Sequence, residues 1–260
     1  MELTQNAKDY VKRSLGGEFF PFEKTDPDFV ERFVNFAFDE VPNESFADGK
    51  KLDERTAHIA ILAALLGCQG VDAFRFMLRS AINFGVSPIE IKEIVYQGTA
   101  YLGLGRTFPF LIATNEFLAE QDKTISLPLE SQAKTNMASR LEAGIGAQVE
   151  IFGDGMKDFY KSGPEEKRHI NRWLAANCFG DYYARGGLAI PEREMITFCF
   201  ISAQGGCEPQ LIGHARGNFN VGNDRLFLIK IVSRVLPFIG YPRSLNALSC
   251  IDKASESAKE

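Results

Sequence analysis

The residues able to do chemistry gather in one stretch of the C-terminal half. It reads Arg193-Glu194-Met195-Ile196-Thr197, an apolar run to Ala203, then Gln204-Gly205-Gly206-Cys207-Glu208-Pro209-Gln210-Leu211-Ile212-Gly213-His214. A glycine turn between two apolar helices makes a hairpin, and positions equally far from the turn face each other. Glu194 lies about 11 residues before Gly205, and His214 about 8 after Gly206. At a rise of ~1.5 Å per residue the two differ in height by only ~5 Å, near enough to touch directly or through a water. A carboxylate that orients an imidazole makes a group able to move protons near neutral pH. Cys207, Gln210 and His214 are spaced three and four apart and share a helical face. Gly213 and Gly217 remove bulk beside it, leaving room for a ligand or a neighbouring backbone. A lone histidine more often satisfies a buried carbonyl. The carboxylate at matching height and the neutral Gln210 one turn away bring the functional reading level with that one.

The remaining reactive groups have weaker claims. Cys207 stands at a helix N-terminus, which favours a thiolate, but no second cysteine follows three residues on. Arg193 and Arg216 are candidates for binding a substrate carboxylate, although single arginines are more often surface ion-pair partners. Glu194 itself could be an ordinary first-turn acid. Cys199 reads as core, and Cys68, Cys178 and Cys250 have no evident partners. His58 and His169 lie on charged helical stretches and read as solvated. The glycine-rich turns follow no strand, so a phosphate loop is not supported, and neither a metal nor a cofactor is expected.

The elements that must position these residues are helices. Apolar residues recur at three and four spacing almost throughout, and alternating strand patterns are hard to find, so the chain reads as all-α. Asp26-Pro27-Asp28 opens a helix that Val41-Pro42 stops. Further helices are expected over about 53–66, 71–84, 88–102 and 110–118, the third opened by Ser87-Pro88-Ile89-Glu90 as a capping box. Two more, over about 138–152 and 164–178, lead into the second half. The five cysteines are odd in number and form no CxxC pair, which points to a reducing, cytoplasmic compartment. No apolar run approaches the ~20 residues of a membrane span. A net charge of −5 without a basic cluster argues against nucleic acid. With 22 phenylalanines and one tryptophan, any pocket should be Phe-lined. The tail from Ala254 to Glu260 is charged and reads as frayed.

The second half repeats the first. Leu52-Asp53-Glu54-Arg55 matches Leu188 to Arg193 in role. Asn83-Phe84-Gly85 matches Asn220-Val221-Gly222, Ala100 to Gly103 matches Pro237 to Gly240, and Arg32 to Glu40 matches Arg172 to Asp181. The pairs lie about 136 to 141 residues apart. The chain therefore divides into a first unit over 1–120, a linker over 121–137 and a second unit over 138–260, and two such units should pack together.

Cys178-Phe179-Gly180-Asp181-Tyr182-Tyr183, Glu192-Arg193-Glu194-Met195, Gly205 to Leu211 with His214, and Gly240 to Ala247 together resemble the carboxymuconolactone decarboxylase family. The likeness covers the second unit almost completely and the first loosely. It implies an all-α fold shared with alkylhydroperoxidase D, cofactor-free decarboxylation of a lactone acid in some members and thiol peroxidase chemistry in others. It also implies rings of six units, which two-unit chains would form as a homotrimer. By position, Glu194 and His214 match the family's acid and histidine, and Cys207 the first peroxidase cysteine. Gln210 stands where the second cysteine belongs, which counts against a dithiol site. In the first unit Met77 replaces the histidine, Ala73 replaces Gln210, and Ala57 or a neighbour replaces the acid, so that unit reads as a degenerate structural partner. Three functions follow as expectations: a decarboxylase-like enzyme acting on a small lactone acid, a thiol peroxidase using Cys207, and a non-catalytic ring protein binding a small ligand.

Overall fold

Helix-start signals sit where the helices begin. Asp53 and Asp224 accept the backbone N–H of Thr56 and Phe227. Ser87 and Glu90 close a capping box, and Pro27, Pro88, Pro191 and Pro209 occupy first-turn positions. In a computed structural model, which describes residues 2–16, 22–121 and 127–256, every regular element is a helix. The first half contains α1 (Gln5–Leu15), α2 (Pro27–Asn35), α3 (Glu54–Gly67), α4 (Val71–Asn83), α5 (Pro88–Leu102) and α6 (Leu104–Gln121). The second contains α7 (Arg140–Phe152), α8 (Arg168–Trp173), α9 (Ile190–Gln204), α10 (Glu208–Asn220), α11 (Arg225–Ile239) and α12 (Tyr241–Glu256). Helices α9 to α12 begin 136 or 137 residues after α3 to α6. In both halves the second helix runs on into π-helical turns, over Phe36–Glu40 and Leu174–Tyr183.

Several elements differ from expectation. Helix α1, ahead of the first helix expected from the sequence, buries a face of Ala7, Tyr10, Val11 and Leu15. The helix expected to stop near Cys178 continues to Tyr183 as a π-helix, whose wider turn the local apolar spacing does not announce. Ala254 to Glu256 belong to α12, and only 257–260 of the expected tail lie outside the described residues. Residues 122–126 of the expected linker also lie outside them, and 127–137 carry no helix.

The two halves share one apolar core. Ile59, Leu62, Ala63 and Leu66 of α3 and Ile196, Cys199, Phe200 and Ala203 of α9 belong to the same buried cluster. Gly67 allows this approach: a Cβ there would sit 2.6 Å from the Phe200 carbonyl oxygen. Gly144 and Gly180 do the same between α7 and the π-helical segment, each facing backbone that a Cβ would strike.

His58 is not solvated, as the charges around it in sequence suggested. It is fully buried on α3, with Nδ1 2.7 Å from the Glu54 carbonyl and Nε2 2.7 Å from Ser80 Oγ. A carbonyl can only accept, so Nδ1 carries the proton and Nε2 accepts from the serine. Burial pushes the His58 pKa down to about 4. The unfolded chain therefore takes up a proton near pH 6.5 that the folded chain refuses until about pH 4. This group's contribution to stability is complete above pH 6.5 and is lost on acidification, by roughly 3 kcal/mol at pH 4. Urea denaturation at pH 7 and pH 4.5 should show that loss in the wild type and a smaller one in His58→Asn.

Candidate active site

The cavity that holds the reactive residues lies in the second half, has a volume of about 500 Å³, and borrows part of its wall from the first. The π-helical segment brings Cys178 and Phe179 to it, α7 brings Gln148 and Phe152, α10 brings His214, and the end of α5 brings Ala100 and Tyr101. Phe152, Phe159 and Phe179 line it as composition led one to expect. A larger surface hollow of about 770 Å³ lies beside Arg225 and Asp252, whose exposed ion pair marks it as ordinary surface.

The hairpin geometry brings Glu194 and His214 together. His214 Nδ1 lies 2.8 Å from Glu194 Oε2, with the carboxylate fully buried and the histidine 9% exposed. The imidazole is clasped edge-on by Tyr101 and Phe152, at ring separations of 5.4 and 5.5 Å. With Nδ1 committed to the carboxylate, Nε2 is the nitrogen left to the cavity. Gly217 makes the approach possible, since a Cβ there would stand 2.6 Å from Glu194 Oε2 and 2.9 Å from Ile151. The room that Gly217 provides is thus taken by the acid and by α7, not by a ligand. Gly213 faces open space.

A buried carboxylate needs donors, and Glu194 receives them through a chain of side chains. Tyr183 donates to Glu194 Oε1 at 2.7 Å, so its hydroxyl oxygen is left to accept from Thr197 at 2.5 Å and from Tyr101 at 3.2 Å. Gln97 Nε2 donates to Thr197 Oγ1 at 2.9 Å, and Arg193 donates to Gln97 Oε1 at 3.0 Å. Every proton in the series Arg193, Gln97, Thr197, Tyr183 points towards Glu194, so each bond polarises the next and favours negative charge at the end. Burial first, and the Glu194 charge second, push the Tyr183 hydroxyl well above its ordinary pKa and keep it a donor. Gln97 belongs to the first half, so the second half's acid depends on both.

Arg193, expected to bind a substrate carboxylate, is fully buried away from the cavity. It pairs with Glu93 at 3.0 Å and donates to the Arg185 and Gly186 carbonyls, while Arg185 grips the same Glu93 with two nitrogens. It points to the other side of α9 from its neighbour Glu194, as a step of ~100° along a helix requires. Arg216 is exposed and does not border the cavity. Neither arginine is placed to hold a substrate there. Cys207 and Gln210 do border it, Gln210 from an exposed position at the start of α10. Cys207 Sγ accepts from Gln204 at 3.2 Å. Cys199 is buried core, and all five cysteines are unpaired. His169 is exposed as expected.

The matched place in the first half is filled. Met77, where the second half has His214, is buried with Leu15, Phe38 and Leu65 in the shared core. Position 58, 136 residues before Glu194, holds the neutral His58, and Ser80 stands where Gly217 makes room for the acid. Sequence reasoning missed Tyr183, Thr197, Gln97, Tyr101 and Gln148 as parts of the site. Only Tyr183 carried a signal, as part of the Cys178 to Tyr183 motif.

A carboxymuconolactone decarboxylase family model matches residues 27–116. These residues are a unit of that family. The matched stretch is the half in which the resemblance was looser and the reactive set is absent. The match to the family therefore describes the helical frame of residues 27–116, and the chemistry has to be argued from the cavity. A comparison with curated proteins gave no match. No helix among the described residues is long and apolar enough to cross a membrane.

Arg193→Met would leave Glu93 with half its cationic partners and Gln97, Arg185 and Gly186 with unmet acceptors. Breaking a buried pair in this way should cost about 3 to 5 kcal/mol, read from the urea midpoint. Arg193→Lys should recover only part of it, because a single ammonium cannot span the guanidinium's acceptors.

Proposed function

We propose that the protein is a cofactor-free enzyme of the decarboxylase type, in which His214, held by Glu194, delivers a proton to a small unsaturated lactone acid. The observation that carries this reading is the 2.8 Å contact between an imidazole bordering an apolar cavity and a carboxylate with no exposure. Among the described residues neither lysine nor arginine lines the wall, so an imidazolium at His214 would be the cation there. It would pair with the substrate carboxylate, which an apolar cavity solvates poorly. As the bond to the carboxyl carbon breaks, its electrons pass into the conjugated system as an extended enolate and carbon dioxide leaves. The Nε2 proton then goes to the carbanionic carbon. Glu194, by holding Nδ1, fixes which nitrogen delivers the proton.

A thiol peroxidase is the second reading, favoured by Cys207 bordering the same cavity. The other thiol there, Cys178, argues against it: burial pushes it up to about 12, so it is a poor resolving nucleophile. Assembly of three chains into a ring is supported by matched exposed apolar residues on the last helix of each half. Leu104 and Phe108 on α6 match Tyr241 and Leu245 on α12, and Ile112 extends the α6 stripe by one turn.

The test is turnover of a panel of small lactone acids, beside peroxide reduction by thiol assay. His214→Ala should lower kcat for decarboxylation by about 100-fold or more, and Cys207→Ser should leave it unchanged. Peroxide turnover that is lost in Cys207→Ser and kept in His214→Ala would reverse the assignment. At neutral pH Cys207 should react with a thiol reagent no faster than free cysteine, as stopped-flow titration would show.

A further inference from the structure

One residue on the cavity wall has no role in the proton-transfer account. Gln148 of α7 is fully buried, and neither its Nε2 nor its Oε1 has a hydrogen-bond partner among the described residues. A buried amide left with neither bond is costly and calls for an explanation. Because Gln148 borders the cavity, a turn of its side chain towards it would let a molecule bound there supply both bonds. Phe152, whose ring abuts His214, follows Gln148 by four residues, so the amide lies one helical turn, or ~6 Å, further along the same face.

We propose that Gln148 is a substrate-recognition residue that pairs with an uncharged edge carrying a donor beside a carbonyl, as in a carboxamide, a lactam or a protonated acid. The inference rests on the reading of this cavity as the reactive site. A primary amide presents N–H and C=O side by side, and its full complement is another planar group that does the same. A carboxylate offers acceptors only: it would leave Oε1 unpaired and bring a charge to an end of the cavity without a cation. A hydrocarbon satisfies neither atom. Two ionisable groups on the wall, Tyr101 and Cys178, stay neutral, since burial raises the pKa of both. A lactone ring offers acceptors only, so the lactone acid must carry a second group for Gln148, and the substrate is two-ended. Its anionic group belongs at His214, its donor–carbonyl edge at Gln148, and a flat apolar body lying against the edge-to-face pair of Phe152 and Phe179 joins them.

Three unreactive probes separate these cases: benzamide with donor and acceptor, benzoate with charge and acceptors alone, and toluene with neither. Calorimetric titration of the full chain should show benzamide binding about tenfold or more tightly than toluene. Gln148→Leu should lose that advantage, binding benzamide about tenfold more weakly and toluene as well as before. Gln148→Met, which keeps the length of the side chain, should behave alike and guards against a folding defect in the leucine variant. Gln148→Leu should also raise the melting temperature of the empty protein, because it removes an unpaired buried amide. Equal benzamide affinities for wild type and both variants, or a fall in melting temperature with benzamide affinity unchanged, would overturn the proposal. His214→Ala should keep the benzamide affinity while losing turnover. A protein that binds benzamide through Gln148 but turns over no acid would thus contradict the proposed reaction alone.

Discussion

A carboxylate placed where no water reaches must be compensated from within the fold, and Glu194 is such a group. Its two oxygens are divided between two tasks. One holds His214 at the cavity wall, and the other takes the hydroxyl proton of Tyr183. Behind Tyr183 the donors continue through Thr197 and Gln97 to the guanidinium of Arg193, which is itself neutralised by Glu93. Much of the architecture follows from the need to make these bonds. The π-helical turns carry Tyr183 within reach, Gly217 gives up its side chain so that the acid fits, and α5 of the first half contributes Gln97.

The two halves show one scaffold used in two ways. In the second, an acid on α9 faces a glycine and a histidine on α10, and the space beyond is open. In the first, His58 on α3 faces Ser80 on α4, and Met77, at the position matching His214, is buried in the shared core. A neutral imidazole bonded to a carbonyl and a hydroxyl needs no counter-charge, so the first half satisfies its buried polar group locally. The second leaves its imidazole half-satisfied, which is the condition for acting on a ligand. The first half still contributes, since Tyr101 clasps His214 and Gln97 carries the donor chain.

What was legible in the sequence was what a single hairpin encodes. Counting residues from the Gly205-Gly206 turn placed Glu194 and His214 at similar heights, and the helices with strong caps were found near their true ends. The donor chain was not legible. Tyr183, Gln97 and Tyr101 reach the site from elements about 10 to 100 residues from Glu194, and no periodicity in one chain reports such meetings. Arg193 misled because adjacency to Glu194 in sequence suggested a shared site, whereas helical rotation sends neighbours apart. His58 misled because its charged neighbours are themselves paired at the half-buried first turn of α3, Glu54 with Arg234 and Arg55 with Glu192, while the helix one turn on is fully buried. Gln148 gave no sign at all, since a glutamine in an amphipathic helix is ordinarily solvated.

Proton transfer at this site depends on the proton at Nδ1 of His214 being held by Glu194, which leaves Nε2 to the cavity. Nitrogen-15 NMR of the histidine side chains at neutral pH reads this directly. The predicted result is a His214 ring with a protonated, slowly exchanging Nδ1–H shifted downfield by a strong hydrogen bond, and a signal that changes in Tyr183→Phe. A His214 ring protonated only at Nε2, with Nδ1 bare beside the carboxylate, would contradict it.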